Sequence, residues 1–348
     1  MGASTQDRTF QGSAALGDSS EYFGASVTGG VGPLPLVDSA DSGSELCIPG
    51  ELDPGAVSGN IVLCRRGAIA RVDKSLAVSM AGGVGMILYN ASDFDTQNTD
   101  NHWVPSVHIN NTDGIAIKAY IAAMADPTAT INGGTYTTID APWMAAFSSR
   151  GPNGGAMDII KPDITAPGVN ILAANTPTPF LGATGQLFQS IGGTSMSSPH
   201  VAGVFALLKE ANPDWSPAIA KSAIMTTAYQ DVMTEDGATP ADPFDMGAGH
   251  LNPNPAFDPG LAYDTGWNEY LAFLCGAQPG VVSQGVCDLL ESFGYSTDPS
   301  DLNIASFGVA ALAGTQTVER YVTNVGAAGT YDVTVDAPAG IDVVVSPS

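Results

Sequence analysis

Residues 192–203 read Gly192-Gly193-Thr194-Ser195-Met196-Ser197-Ser198-Pro199-His200-Val201-Ala202-Gly203, and this stretch decides how the chain is read. Two glycines make a turn. An apolar helical pattern follows, with Val201, Ala202, Val204, Phe205, Ala206, Leu207 and Leu208 leaving no polar face, so a helix over 199–210 buried all round is expected. A serine at such a junction sits at the positive end of the helix dipole, about half an elementary charge. The N–H groups of a first helical turn lack intrahelical acceptors and can hold a developing oxyanion. Pro199, read as a first-turn residue, gives up only an N–H without a partner. On this chemistry Ser195 has two readings, a nucleophile or an ordinary helix cap.

The segments before this turn are mixed α/β. Asn60 to Cys64 is an apolar, β-branched run and predicts a buried strand. Arg71 to Ala81 predicts a helix with Val72, Leu76, Ser79 and Met80 on one face, stopped by Gly82-Gly83. Val84–Tyr89 and Pro105–Ile109 predict further strands, and Asp113–Ala125 a second helix. Ile159–Ile164, with Pro162 inside, predicts an edge strand, and Gly168–Ala174 another strand. After the serine, Pro217–Thr227 predicts a helix with proline at its start. From about residue 304 the text alternates, as in Thr330–Val335 and Ile341–Val345, and predicts antiparallel strands.

Composition narrows the function. Eleven Lys and Arg against 35 Asp and Glu give a net charge of −24 over 348 residues. A polyanion needs a basic face, so nucleic acid is excluded as a partner. With 44% apolar and 13% charged residues the chain can bury a core. No uninterrupted apolar run approaches the roughly 20 residues of a membrane span, so no membrane partner is expected. The four cysteines form two close pairs, Cys47/Cys64 and Cys275/Cys287. They are disulfides or free thiols. The spacing is not that of a zinc or redox site, and the expectation is two disulfides in an exported protein. Met1-Gly2-Ala3-Ser4-Thr5-Gln6 is not a signal peptide, so one is expected upstream of this chain.

Gly193 to Gly203 resembles the catalytic-serine block of the subtilisin-like serine proteases, the subtilases. Phe147–Pro152 and Lys161–Gly168 resemble the blocks that precede that serine. Gly247–Pro253 and Asp258–Asp264 resemble blocks that follow it in the plant-type branch. Cys47–Pro49, Gly59–Cys64, Ala81–Gly85 and Val104–Val107 resemble the protease-associated insert of these enzymes, and Val322–Gly326 the fibronectin-III-like domain. The resemblance implies an α/β fold: part of a subtilisin-like parallel sheet with helices on both faces, a protease-associated α/β insert and the start of a fibronectin-III-like β-sandwich. It implies the division 1–20 (remnant of the peptidase domain), 21–140 (insert), 141–275 (C-terminal part of the catalytic domain), 276–303 (linker) and 304–348 (start of the sandwich).

By the same resemblance Ser195 is the nucleophile and its N–H one oxyanion donor. The family's base lies in a His-Gly-Thr block, which is absent here. Its aspartate lies in Asp-Ser/Thr-Gly, and its oxyanion asparagine also precedes the insert. Asp41-Ser42-Gly43 and Asp264-Thr265-Gly266 have the aspartate pattern at the wrong places in the order. His200 is about 500° around the helix from Ser195 and points elsewhere. His102, His108 and His250 are expected to be structural. The expectation is therefore a secreted serine endopeptidase acting on protein or peptide substrates through an acyl-enzyme on Ser195, without cofactor or metal. This chain by itself is expected to be inactive and cut from something longer. The alternative is a non-catalytic peptide- or protein-binding module, with self-association through the insert. An esterase is disfavoured, because Gly193-Thr194-Ser195-Met196-Ser197 lacks the second glycine of G-x-S-x-G.

Overall fold

A computed structural model describes residues 1–180 and 182–346. In chain order, β1 is Gly2–Ser4, followed by β2 (Arg8–Leu16), β3 (Glu21–Ala25), β4 (Val31–Asp38), α1 (Pro54–Val57), β5 (Ile61–Arg65), α2 (Arg71–Met80), β6 (Gly85–Tyr89), β7 (Ser106–Ile109), α3 (Asn111–Ala123) and β8 (Thr128–Thr138). Then come β9 (Thr165–Pro167), β10 (Ile171–Ala174), β11 (Phe188–Ile191), α4 (Thr194–Ala211), α5 (Pro217–Thr226), α6 (Pro243–Met246), β12 (Leu261–Ala262), α7 (Trp267–Ala277), α8 (Gln284–Ser292) and β13 (Thr323–Asn324).

Strands β2 to β8 close into a barrel of order β2-β3-β7-β6-β5-β4-β8. Its centre, β4-β5-β6-β7, is parallel. Both faces of these strands are covered, which is why they read as unbroken apolar runs. Ile61, Leu63 and Ile87 pack with Ile117 and Tyr120 of α3. Val62, Cys64, Met86 and Leu88 pack with Ala77 and Val78 of α2. The barrel begins at Arg8, inside the span read as 1–20. Helix α2 buries Lys74, Ser75, Ala77 and Val78, not the expected face, and Met80 is 65% exposed. The Lys74 ammonium reaches the Leu46 carbonyl at 2.5 Å, which lets a lysine take a buried place. Asn110 caps α3 by accepting from the Asp113 N–H.

The second body is built on β1 and β9, which pair in parallel, so the parallel sheet comprises two short strands among the described residues. Helices α4 and α5 pack against it through Val201, Val204, Leu208, Ala220 and Ile224 over Ile164 and Ala166. The strand expected at 159–164 lies at Thr165–Pro167 instead, and Ile159 packs on Leu302 and Ile304. The strand expected from Gly168 starts at Ile171, because the Gly168 and Val169 N–H groups donate to the Ser4 carbonyl and Asn170 turns the chain at φ +53°. β10 then pairs antiparallel with β11, a strand the sequence reading missed.

Both disulfides form: Cys47–Cys64 beside β5, and Cys275–Cys287 between α7 and α8. Residues 276–303, expected as a linker, carry α8. The strands expected at 330–335 and 341–345 are absent. Among the described residues of this part only Thr323–Asn324 pairs, with Leu261–Ala262, and 330–345 are exposed throughout. A sandwich strand is held by a facing sheet, and this stretch has none to pack against among the described residues.

Candidate active site

Helix α4 starts earlier than its apolar pattern suggested, at Thr194, so Ser195 is its second residue. Gly193 is the N-cap and offers no side-chain cap. The Gly193 N–H donates to the Gly168 carbonyl at 2.7 Å, which ties the turn to the end of β9. Crowding fixes the glycines. A β-carbon on Gly168 would meet the Ala3 β-carbon at 2.7 Å and the Gly193 carbonyl at 2.9 Å. One on Gly192 would meet Asn98 Oδ1 at 2.7 Å.

Ser195 is exposed, and its hydroxyl has no hydrogen-bond partner among the described residues. As the second helical residue its N–H has no intrahelical acceptor, and the dipole of an 18-residue helix points its positive end here. Pro199 lies inside the helix rather than in its first turn. The N–H it lacks is the one that would have bonded the Ser195 carbonyl, so that carbonyl is released too. The helix is not buried all round. Val201, Val204 and Leu208 face the core, whereas Ala202, Gly203, Ala206 and Leu207 are exposed.

Every imidazole is committed elsewhere. His200 Nδ1 donates to the Met196 carbonyl at 2.9 Å, one turn back on its own helix. His250 lies in the core with Nε2 3.0 Å from Ser4 Oγ, and burial holds it down to about pKa 4. His102 Nδ1 lies 3.0 Å from Ser75 Oγ and is likewise held to about 4 by burial. His108 accepts from the Asn98 N–H at 3.0 Å and bonds Asn90 Oδ1 at 2.7 Å, and burial pushes it well below the ordinary histidine value. Asp41 belongs to a turn of the barrel, and Asp264 accepts from the Ser216 hydroxyl at 2.5 Å. Neither is brought to Ser195.

The blocks around the serine are structural supports. Arg150 pairs with Asp245 at 3.1 Å and with Glu235. Burial raises the Asp163 carboxyl, but Lys221 at 2.6 Å and Lys161 at 2.7 Å pull it below its ordinary value. A cleft of about 240 Å³ opens where the barrel meets β10 and β11, lined by Arg71, Asp100, Asn101, Asn175, Gln189 and Ile191. Among the described residues no group of three His, Cys, Asp or Glu is placed to hold a metal, and no helix is long and apolar enough to cross a membrane.

The model of the subtilase family matches residues 74–251, from α2 through the serine helix to Leu251, just past His250. The chain belongs to the subtilase family. Fibronectin type-III domains match residues 301–348. Subtilisin-like protease SBT1.4 of Arabidopsis thaliana is 44% identical over 379 residues, covering 100% of this chain and 48% of that protein. Subtilisin-like protease SBT1.6 of the same plant is 41% identical over 381 residues, covering 100% of this chain and 49% of that protein. This subtilase chain thus spans about half the length of the curated relatives it matches. Among solved structures, the psychrophilic subtilisin-like protease Apa1 from Pseudoalteromonas sp. AS-11 aligns at TM-score 0.28 and 17% identity over 72% of this chain and 49% of that one, a score too low to speak to the fold.

The sequence reading missed one contact near the serine turn of this subtilase chain. The barrel loop around Thr99 is pressed against Asn170, just before β10, and Ser190 of β11, the strand that leads to the serine turn. No local signal announces that contact, since the partners are 71 and 91 residues apart.

Proposed function

We propose that this chain is the nucleophile-bearing half of a secreted serine endopeptidase. Ser195 Oγ attacks the scissile carbonyl of a protein or peptide and gives its proton to an imidazole base. The Ser195 N–H receives the oxyanion, the leaving amine takes the proton, and an activated water hydrolyses the acyl-enzyme. The base, its aspartate and the second oxyanion donor come from a segment N-terminal to Met1. The observation that carries this reading is the exposed, unpartnered Ser195 hydroxyl at an uncapped helix N-terminus, with His200 turned back onto its own helix. The exposed apolar side of α4 is where the N-terminal segment rests. The closed barrel is the protease-associated insert, and residues from about 304 are the start of the fibronectin-III-like unit. The two disulfides favour an exported setting.

Fluorophosphonate labelling tests the reading. The chain alone is expected to take up no label, because a serine hydroxyl without a positioned base is a weak nucleophile. The polypeptide that includes the upstream segment is expected to be labelled at Ser195, and Ser195→Ala is expected to lower its turnover on the order of 10⁶-fold. Full peptidase activity in that Ser195→Ala variant would sink the proposal, and neither label nor activity in the polypeptide that includes the upstream segment would leave the binding module as the better reading.

A further inference from the structure

The barrel is bonded to β11, the strand that leads to the candidate nucleophile. Loop residues Asn98, Thr99 and Asp100 are buried, and Thr99 is fully so. The Thr99 N–H donates to Asn170 Oδ1 at 2.9 Å. Its hydroxyl lies 2.9 Å from the Ser190 carbonyl and 2.6 Å from the Ser190 hydroxyl. Its one hydrogen has three acceptors within reach, the Ser190 hydroxyl, the Ser190 carbonyl and Asn170 Oδ1 at 3.2 Å, so it bonds one side or the other of the same hairpin. Asn101 Nδ2 donates to the Phe188 carbonyl at 2.7 Å. Asn170 immediately precedes β10 and Ser190 lies in β11, in register with Leu172, so one threonine ties both sides of the hairpin. Three residues beyond Ser190 is the cap Gly193, and two beyond that is Ser195.

The loop is anchored from behind. Arg71, at the start of α2, holds Asp100 with two bonds, at 2.6 and 3.1 Å. The Asn98 N–H donates to His108 of β7 at 3.0 Å. Asn98 Oδ1 fills the space over Gly192 that a β-carbon would need. A rigid chain of contacts therefore runs from β7 and α2 through Asn98–Asn101 to Gly192.

We propose that Thr99 is a positioning residue for Ser195: by clamping Asn170 and Ser190 it sets where the Gly192–Gly193 turn delivers the nucleophile. Thus the barrel fixes the geometry of the peptidase site as well as adding a wall to the adjoining cleft. The proposal rests on Ser195 as the nucleophile. A misplacement of about 1 Å at a reacting group costs on the order of 10²-fold in rate.

Thr99→Val keeps the shape and removes the hydroxyl bonds, and Thr99→Ser keeps the hydroxyl. Hydrogen exchange on this chain reads the coupling directly. Thr99→Val is expected to speed exchange in 188–196 by about tenfold, with β5 and β6 unchanged and Thr99→Ser restoring protection. Unchanged protection of 188–196 in Thr99→Val overturns the proposal. Should Thr99→Val loosen β5 and β6 as well, Asn101→Ala decides, since it removes only the bond to Phe188: faster exchange confined to 188–196 supports the coupling, and none overturns it. In the polypeptide that includes the upstream segment, Thr99→Val is expected to lower kcat ten- to a hundredfold at unchanged KM, with Thr99→Ser restoring it; a rise in KM alone overturns the positioning role. Failure of the nucleophile reading would appear separately, as activity surviving Ser195→Ala.

Discussion

His250 Nε2 lies 3.0 Å from Ser4 Oγ in the core, a serine–histidine pair formed by residues 246 apart that substrate cannot reach. The Leu251 carbonyl takes the Nδ1 proton at 3.3 Å, so Nε2 is left to accept from the Ser4 hydroxyl. The ring lies 4.9 Å from that of Tyr229. Burial lowers its pKa to about 4, against about 6.5 in an unfolded chain. Between those values the unfolded chain binds more protons, so stability is full above about pH 6.5 and is lost as pH falls toward 4. His102 and His108 act in the same direction. The expected result is a fall in the urea midpoint from pH 7 to pH 4.5. His250→Asn is less stable at pH 7, and its acid loss is smaller by about 2 kcal/mol. Parallel pH dependences for the two proteins would show that His250 has no share in it.

The bond between Cys275 and Cys287 closes a loop with a sequence separation of 12 and ties α7 to α8. Closing a loop of that size in the unfolded chain is worth about 3 kcal/mol. Cys275→Ala with Cys287→Ala is expected to lower unfolding free energy by about that amount in urea. A change under about 0.5 kcal/mol would mean that the packing of α7 on α8 suffices without the bond.

How legible each part was follows from where its physics resides. Ile61–Leu63 and Met86–Leu88 read correctly as strands because burial on both faces leaves an unbroken apolar run. Ser195 read correctly as standing at a helix start because glycines and the apolar pattern are local. The serine helix was misread as buried all round: an apolar face says what a residue can cover, and Leu207 has nothing on it among the described residues. The buried face of α2 was misread as Val72, Leu76, Ser79 and Met80: it includes Lys74, whose acceptor, the Leu46 carbonyl, is 28 residues away. The strands read at 330–345 had the alternation but no facing sheet. Thr99 was invisible for the same reason as Lys74, since its partners come together only when the barrel docks on the β10–β11 hairpin.

Lys74 supplies an alkaline signature. Burial lowers its pKa to about 8, while an unfolded lysine titrates near 10.4. Between these values the unfolded chain binds more protons, so this group's contribution to stability rises with pH from about 8 to about 10.4. Tyr89 and Tyr229, raised by burial, act the other way near the top of that window. The difference between wild type and Lys74→Met isolates the lysine. The variant is expected to gain less stability than the wild type between pH 8 and 10, and a constant difference across that range would place the ammonium in contact with water.

The last prediction concerns the open side of α4. Leu207 is 53% exposed, on the same side as Ala202, Gly203 and Ala206. On this chain Leu207→Ala removes little buried area, so a change under about 0.5 kcal/mol is expected. If the upstream segment covers α4, the same substitution opens a cavity there. Truncating a buried leucine costs about 2–5 kcal/mol. Urea unfolding of both variants, with and without the upstream segment, measures the difference between the two contexts. A difference above about 2 kcal/mol puts Leu207 at a joint with the upstream segment, on the helix that starts at Thr194 and Ser195. Equal, small effects in both contexts would mean that the upstream segment leaves this side of α4 in water.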